Sequence, residues 1–220
     1  MNFIKRFNRD IQVVFERDPA ATSKLEVILN YPGLHAIWMH RITHKLYLKN
    51  HRVIARFLSQ VARFFTQVEI HPGAQLSDGL FIDQGCGIVI GETAIVGKDV
   101  TLYQGVTLGG TGKESGKRHP TIGDDVMISS GAKVLGNINI GSNVKIGAGS
   151  VVLKDVPDNC TVVGIPGRVV VRDGLRVKND VHHVDLNHNR LPDPVADCIH
   201  RINHRVDDLS NRVKELEEKH

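Results

Sequence analysis

The chain has 220 residues, 41 % hydrophobic and 24 % charged, which sets aside disordered and membrane-spanning classes and leaves room for one or two domains. Its 28 Lys and Arg against 24 Asp and Glu leave a formal charge of +4, scattered along the chain, and only 5 % of residues are aromatic, so neither a basic block nor a set of stacking platforms speaks for nucleic acid. No run approaches the roughly 20 apolar residues of a membrane helix, and the opening MNFIKRFNRD carries charges where a signal peptide has its apolar core, which predicts no membrane partner and a cytoplasmic protein.

Residues 1–66 read as a helical domain. Phe3, Phe7, Ile11, Val14 and Phe15 recur at helical spacing, and a second helix opens with Ser23 and Glu26 in capping-box positions before Val27, Ile28 and Leu29. Pro32 and Gly33 break it. Leu34, Ile37, Trp38, Ile42 and Leu46 then mark a third helix, and Val53, Ile54, Phe57, Leu58, Val61, Phe64 and Phe65 a fourth.

From residue 67 the pattern changes to a period of six. Aliphatic or small residues fall at Ile70, Leu76, Ile82, Ile88, Ala94, Val100 and Val106, and, after ten extra residues, at Ile122, Ile128, Val134, Ile140, Ile146 and Val152. Glycine often follows, as in Ile122-Gly123, Ile140-Gly141 and Ile146-Gly147, so each unit reads as a short strand with an inward aliphatic side chain and a corner. Three units close one triangular coil, and about five coils fit. The pattern resembles the hexapeptide repeat of left-handed parallel β-helices, whose stacked coils bury one aliphatic column. The competing arrangement, buried parallel strands with helical crossovers, needs helix-length amphipathic segments that residues 67–153 do not offer. The ten extra residues, GTGKESGKRH at 110–119, must leave the solenoid at a corner as an extruded loop, a common place for binding residues.

The β-helix is expected to span residues 67–170, with a linker and a short coiled-coil helix over 171–220. His182, His183, His188, Pro192 and Pro194 have linker character, and Ile199, Ile202, Val206, Leu209, Val213 and Leu216 alternate steps of three and four. An amphipathic helix docked on its own subunit fits that spacing as well. The fold class expected is thus α+β: an N-terminal helical domain, a left-handed parallel β-helix and a C-terminal amphipathic helix. Cys86, Cys160 and Cys198 are an odd number without metal-ligand spacing, so neither a disulfide framework nor a structural zinc site is indicated.

A hexapeptide β-helix by itself serves acyltransferases, metal-dependent hydratases and structural modules alike. More specific are YPGLHAIWMHRITHKLY at 31–47, VEIHPGA at 68–74, GIVIGET at 87–93, GVTLGGTGK at 105–113, KRHPTIG at 117–123, IGAGSVVLKDVP at 146–157 and VVGIPGRVV at 162–170. In order and spacing these resemble the serine O-acetyltransferase family, in its compact bacterial form, over residues 10–170. The resemblance implies transfer of acetyl from acetyl-CoA, as co-substrate and without a metal, to the hydroxyl of L-serine, giving O-acetylserine for cysteine synthesis. It also implies a homotrimer with active sites between neighbours and L-cysteine as a feedback inhibitor. Family members that dock onto O-acetylserine sulfhydrylase use a C-terminal isoleucine; this chain ends EEKH, so no tight complex with that enzyme is expected.

The same resemblance assigns roles. The family's general base is a histidine after an aspartate, and here FIDQGCG places Asp83 followed by Gln84. An amide has no useful basicity, so Gln84 cannot act as that base. Glu69 matches the carboxylate that orients the histidine. Asp83 matches a group that binds the substrate ammonium, and Asp18, in ERDP, another substrate-binding aspartate from the helical domain. Arg118 matches a ligand of the serine carboxylate, and His119 a hydrogen-bonding group near the reacting oxygen. Gly110, Ser130 and Ala148 match contacts to the CoA thioester arm, although solenoid corners require small residues in any case. Three functions stay open: a serine acetyltransferase in which His119 or a water beside Glu69 and Gln84 accepts the proton; a silenced member that binds serine, cysteine or CoA; and a metal-dependent hydratase. The last would need histidines clustered in the coils, where only His71 and the loop's His119 occur.

Overall fold

Four helices precede the repeats: α1 (Phe3–Arg17), α2 (Lys24–Asn30), α3 (Pro32–Leu48) and α4 (Arg52–Thr66). They belong to a computed structural model that describes residues 3–112, 115–177 and the single position 206. The expected coiled coil over 199–216, apart from the helical and exposed Val206, and the expected linker from residue 178 onward lie outside the described residues. At 171–177, where the sequence places the start of that linker, the chain instead continues in antiparallel strand, because its backbone pairs with the end of the solenoid.

Local chemistry sets the helix ends. Ser23 Oγ accepts the Glu26 N–H at 3.2 Å, while the Glu26 carboxylate turns back to the Thr22 N–H at 3.0 Å, so the capping box closes one residue earlier than its usual form. Pro32 breaks α2 and opens α3, where a missing N–H costs nothing. Ile11, Val13, Val14, Val27 and Leu34 form a core with Phe81, and Phe7 stacks on Trp38 with ring centroids 4.4 Å apart. Buried Asp10 accepts from both Arg41 nitrogens and from Trp38 Nε1, which offsets the desolvation of its charge. Helix α4 behaves differently. Val53, Phe57, Phe64 and Phe65, which mark it as apolar, are exposed in the single chain, and its buried positions are Ala55, Ser59 and Thr66.

The repeats form strands of two or three residues: β1 (Glu69–Ile70), β2 (Gln75–Leu76), β3 (Phe81–Ile82), β4 (Val89–Ile90), β5 (Ile95–Val96), β6 (Thr101–Leu102), β7 (Thr107–Gly109), β8 (Thr121–Ile122), β9 (Met127–Ile128), β10 (Lys133–Leu135), β11 (Asn139–Ile140), β12 (Lys145–Ile146) and β13 (Val151–Val152). Each pairs in parallel with the strand three later, which gives three faces: β1-β4-β7-β10-β13, β2-β5-β8-β11 and β3-β6-β9-β12. This is the left-handed β-helix. The third face continues through β14 (Cys160–Val163) into antiparallel β15 (Arg168–Arg172) and β16 (Leu175–Arg176). One aliphatic column, including Ile90, Val96, Leu102, Leu108, Ile128 and Ile146, fills the prism.

The register corrects the sequence reading at one place. Partners on the first face lie 18 residues apart for Val89 and Thr107, 20 for Glu69 and Val89, and 26 for Thr107 and Lys133. The ten extra residues are therefore not all in one loop; two are inserted between β3 and β4 and eight between β7 and β8. The reason is that most repeats bury two side chains two residues apart, such as Ile88 with Ile90 or Ala94 with Val96. A period of six drawn from Ile82 to Ile88 passes from the strand position to the corner position without a visible break.

The helices close the open end of the prism. Gly33 lets α3 rest directly on β3, since a Cβ there would overlap Ile82. Farther along α3, His44 Nδ1 lies 2.7 Å from the Pro72 carbonyl and the Tyr47 hydroxyl 3.0 Å from Glu92, so this helix runs from one corner of the prism to the next. Arg17, at the end of α1, donates to Val100 O and Thr101 Oγ1.

Candidate active site

The first cluster of polar groups sits at the corner between the third and first faces, where the two-residue insertion falls. Gln84 and Gly85 are both left-handed, with φ of 54° and 67°, and the turn is closed by N–H bonds from Gly85 to Asp83 O (2.6 Å) and from Cys86 to Gln84 O (2.8 Å). A left-handed residue with a Cβ costs roughly 1–2 kcal/mol, and the result is that the Gln84 side chain projects into solvent. Asp83 beside it is half-buried. Burial raises its carboxyl above the usual range, and the neighbouring charge of Asp18 raises it further. Asp18 follows α1 directly; its Oδ1 accepts the Ala20 N–H at 2.8 Å and its Oδ2 the Tyr31 hydroxyl at 2.6 Å. Glu69, on β1, pairs with Arg63 Nε at 3.4 Å, and among the described residues no hydrogen bond joins it to Gln84.

The second cluster occupies the corner between the first and second faces, where the extruded loop returns. Arg118 Nη2 donates to Glu92 Oε2 at 2.5 Å, and Tyr47 from α3 donates to Oε1 of the same carboxylate at 3.0 Å. These contacts, Arg118 foremost, hold Glu92 below its usual range. Lys117 Nζ bridges the carbonyls of Thr93 (2.8 Å) and His119 (2.6 Å). His119 is 8 % exposed and sets the Cδ2–Nε2 edge of its ring against Gly91, where a Cβ would overlap it. Burial, followed by the adjacent Arg118 charge, lowers its pKa and favours the neutral ring.

Asp18 and Asp83 come together, with Gln84 in the turn that follows; Arg118 and His119 come together; and the two groups stand at different corners of one prism. The residues expected against CoA divide in the same way. Ser130 and Ala148 lie in successive coils at the first corner, linked by the Gly149 N–H to Ser130 O at 2.9 Å, whereas Gly110 lies at the second beside Arg118 and His119. Tyr31, Tyr47, Glu92 and Thr93 join these clusters without having been singled out. Glu92 and Thr93 stand in the GIVIGET run, and a carboxylate with a hydroxyl at a repeat corner was the available signal. Cys86 is exposed, its thiol 2.9 Å from Gln67 Oε1, and Cys160 is buried. Among the described residues no group of three or more His, Cys, Asp or Glu is placed to hold a metal ion, and no helix is long and apolar enough to cross a membrane.

A prism of hexapeptide coils with a loop extruded at one corner and charged groups gathered at two defines the class of hexapeptide-repeat transferases. The family profile "Bacterial transferase hexapeptide (six repeats)" matches residues 119–154, and "Serine acetyltransferase, N-terminal" matches residues 1–38. The serine acetyltransferase of Bacillus licheniformis is 58 % identical over 98 % of this chain and 97 % of its own. A serine acetyltransferase solved in complex with cysteine is 47 % identical, with a TM-score of 0.75 over 76 % of this chain and 70 % of that one. The serine acetyltransferase of Brucella abortus in complex with coenzyme A is 47 % identical, with a TM-score of 0.76 over 79 % of this chain and 69 % of that one. The chain belongs to the serine acetyltransferase family. Its reaction is an O-acetyl transfer from acetyl-CoA to L-serine, a step of cysteine synthesis.

Proposed function

We propose that the transfer takes place between neighbouring copies of this chain in a three-fold trimer, where Asp18, Asp83 and Gln84 of one copy face Arg118 and His119 of the next. The observation that carries this reading is the separation of the two clusters: neither corner alone holds both a cation-binding and a carboxylate-binding group free to take an amino acid. A solenoid with flat faces is suited to cyclic assembly, and the exposed apolar residues of α4 are in keeping with burial between copies. The heptads at 199–216 would reinforce the same symmetry. Residues 1–66 serve as helical platform and 67–177 as acyltransferase solenoid with its closing antiparallel strands, followed by the linker and assembly helix, in a cytoplasmic enzyme.

The serine ammonium sits between Asp18 and Asp83, two carboxylates that repel one another until a cation arrives. Arg118 takes the serine carboxylate in a bidentate pair. His119 donates from Nε2 to the oxyanion that forms as the hydroxyl adds to the thioester carbonyl. Ser130 and Ala148 of one copy and Gly110 of the next line the path of the CoA arm. Cysteine has the same ammonium and carboxylate as serine, so it occupies the same subsite and inhibits; the relative solved with cysteine supports this.

Gln84 stands where the hydroxyl proton must leave. It holds and orients the hydroxyl but does not accept the proton, and Glu69, on β1, takes that role through a water. Losing a positioned base costs about 10² to 10⁴ in rate, while binding of both substrates persists. A steady-state thiol-release assay with acetyl-CoA and serine tests this. Gln84→His should raise kcat at least about 100-fold with little change in either KM. If the unaltered protein already turns over at about 1 to 10³ per second and Gln84→His changes nothing, Gln84 does not mark a missing base. A second reading, a silenced member that only binds, predicts no thiol release by the unaltered protein together with retained affinity for CoA.

A further inference from the structure

At the second corner one side chain with no part in the chemistry above touches the histidine and its loop at several atoms. The Thr93 backbone N–H points at His119 Nδ1 at 3.2 Å, and the Thr93 hydroxyl lies 2.9 Å from the same nitrogen. That hydroxyl oxygen also receives the backbone N–H groups of Arg118 at 3.0 Å and of His119 at 3.1 Å. A hydroxyl has one proton and two acceptor sites. With both acceptor sites taken by backbone donors, its proton is left for Nδ1, and a backbone N–H can only donate. Nδ1 is thus an acceptor twice over, and a neutral ring in this setting carries its own proton on Nε2. The missing Cβ of Gly91 leaves room for the Cδ2–Nε2 edge of the ring, and among the described residues no group takes a hydrogen bond from Nε2.

We propose that Thr93 is a positioning residue for the acetyl transfer: it sets the tautomer of His119, so that Nε2–H is a standing hydrogen-bond donor and the ring is withheld from acting as a base. The inference rests on the reading of His119 as the group that meets the developing oxyanion. It also accounts for the order at the end of an eight-residue insertion. The returning strand is tied to one hydroxyl through two successive N–H groups, and Lys117 ties the same threonine by its carbonyl. It removes His119 as substitute for the base missing at Gln84, because the nitrogen with a free lone pair is turned inward and occupied.

Nitrogen NMR of protein labelled with ¹⁵N-histidine reads the tautomer directly; the chain has 12 histidines, and His119 is assigned by its loss in His119→Gln. The expected result is the Nε2–H tautomer in the unaltered protein and in Thr93→Ser, with a mixture including Nδ1–H in Thr93→Val, where the hydroxyl's bond to Nδ1 and its hold on the Arg118 and His119 backbone are both lost and the ring is no longer kept against the remaining backbone N–H. In a Gln84→His background, Thr93→Val should lower kcat by about tenfold or more with a smaller change in serine KM, and Thr93→Ser should restore it. An Nδ1–H tautomer in the unaltered protein overturns the inference. So does a Thr93→Val protein that keeps the Nε2–H tautomer, whatever its turnover. If the tautomer behaves as expected while His119→Ala turns over normally, the assignment to Thr93 stands and the oxyanion role of His119 fails.

Discussion

The two corners of the prism hold charge in opposite ways. At the second, each charged group has a partner: Arg118 with Glu92, Glu92 with Tyr47, Lys117 with two carbonyls, and His119 with Thr93. At the first, Asp18 and Asp83 are near neighbours of like charge. Among the described residues they are relieved only by the Tyr31 hydroxyl and the Ala20 N–H on Asp18 and by the Gln84 backbone N–H on Asp83. A satisfied network fixes geometry, as a donor set for an oxyanion must be fixed before the reaction. A pair of like-charged carboxylates stores repulsion, and in the proposed site a bound ammonium would release it as affinity for the substrate.

The largest effect is expected at His119. In a Gln84→His background, His119→Ala should lower kcat by about 10² to 10³ in the thiol-release assay, the usual cost of one oxyanion donor. A loss confined to KM would mean that the second corner only binds.

Asp83→Asn probes the other corner and separates stability from function. Because burial and Asp18 raise the Asp83 carboxyl, the native state holds this proton more tightly than the unfolded chain. Stability therefore falls as pH rises from the ordinary carboxylate value through the raised one, and at pH 7 the ionised group is a net cost. The asparagine variant should melt at a higher temperature at pH 7 by scanning calorimetry, while its serine KM rises about tenfold or more. In the unaltered protein, serine affinity should decline on acidification through the raised carboxyl pKa. A variant that melts lower and binds serine normally would show that the first corner carries no stored repulsion.

The smallest effect is expected at Tyr47→Phe, which removes one hydrogen bond to Glu92 and leaves the Arg118 pair in place. Such a bond contributes about 0.5–1.5 kcal/mol, so serine KM should rise about two- to tenfold with kcat nearly unchanged. No change would mean that Arg118 needs no support from α3.

How legible these features are in the sequence depends on distance along the chain. The solenoid is legible because Ile122-Gly123, Ile140-Gly141 and Ile146-Gly147 repeat a local unit. The register is less so, since Ile88 and Ile90 are buried alike and the pattern does not say which begins the strand. Gln84 stands out only against the family motif; its left-handed backbone and the two-residue insertion that presents it come from the coil stacked on Glu69. Tyr47, Glu92 and Thr93 gain their roles from partners 26 or 45 residues away, contacts that no local spacing encodes. The apolar residues of α4 mark the helix correctly but not its buried face, because amphipathicity does not say what a face packs against.

That the two corners complete one another across copies is tested by subunit mixing. In the Gln84→His background, chains carrying Asp83→Ala and chains carrying His119→Ala are each expected to be nearly inactive. Co-expressed with different tags and isolated as mixed trimers, they should regain about one third of the parent activity, because any cyclic trimer containing both kinds of chain has one intact pairing of corners out of three. Mixed trimers no more active than the two variants alone would contradict the account and place the whole site within a single chain.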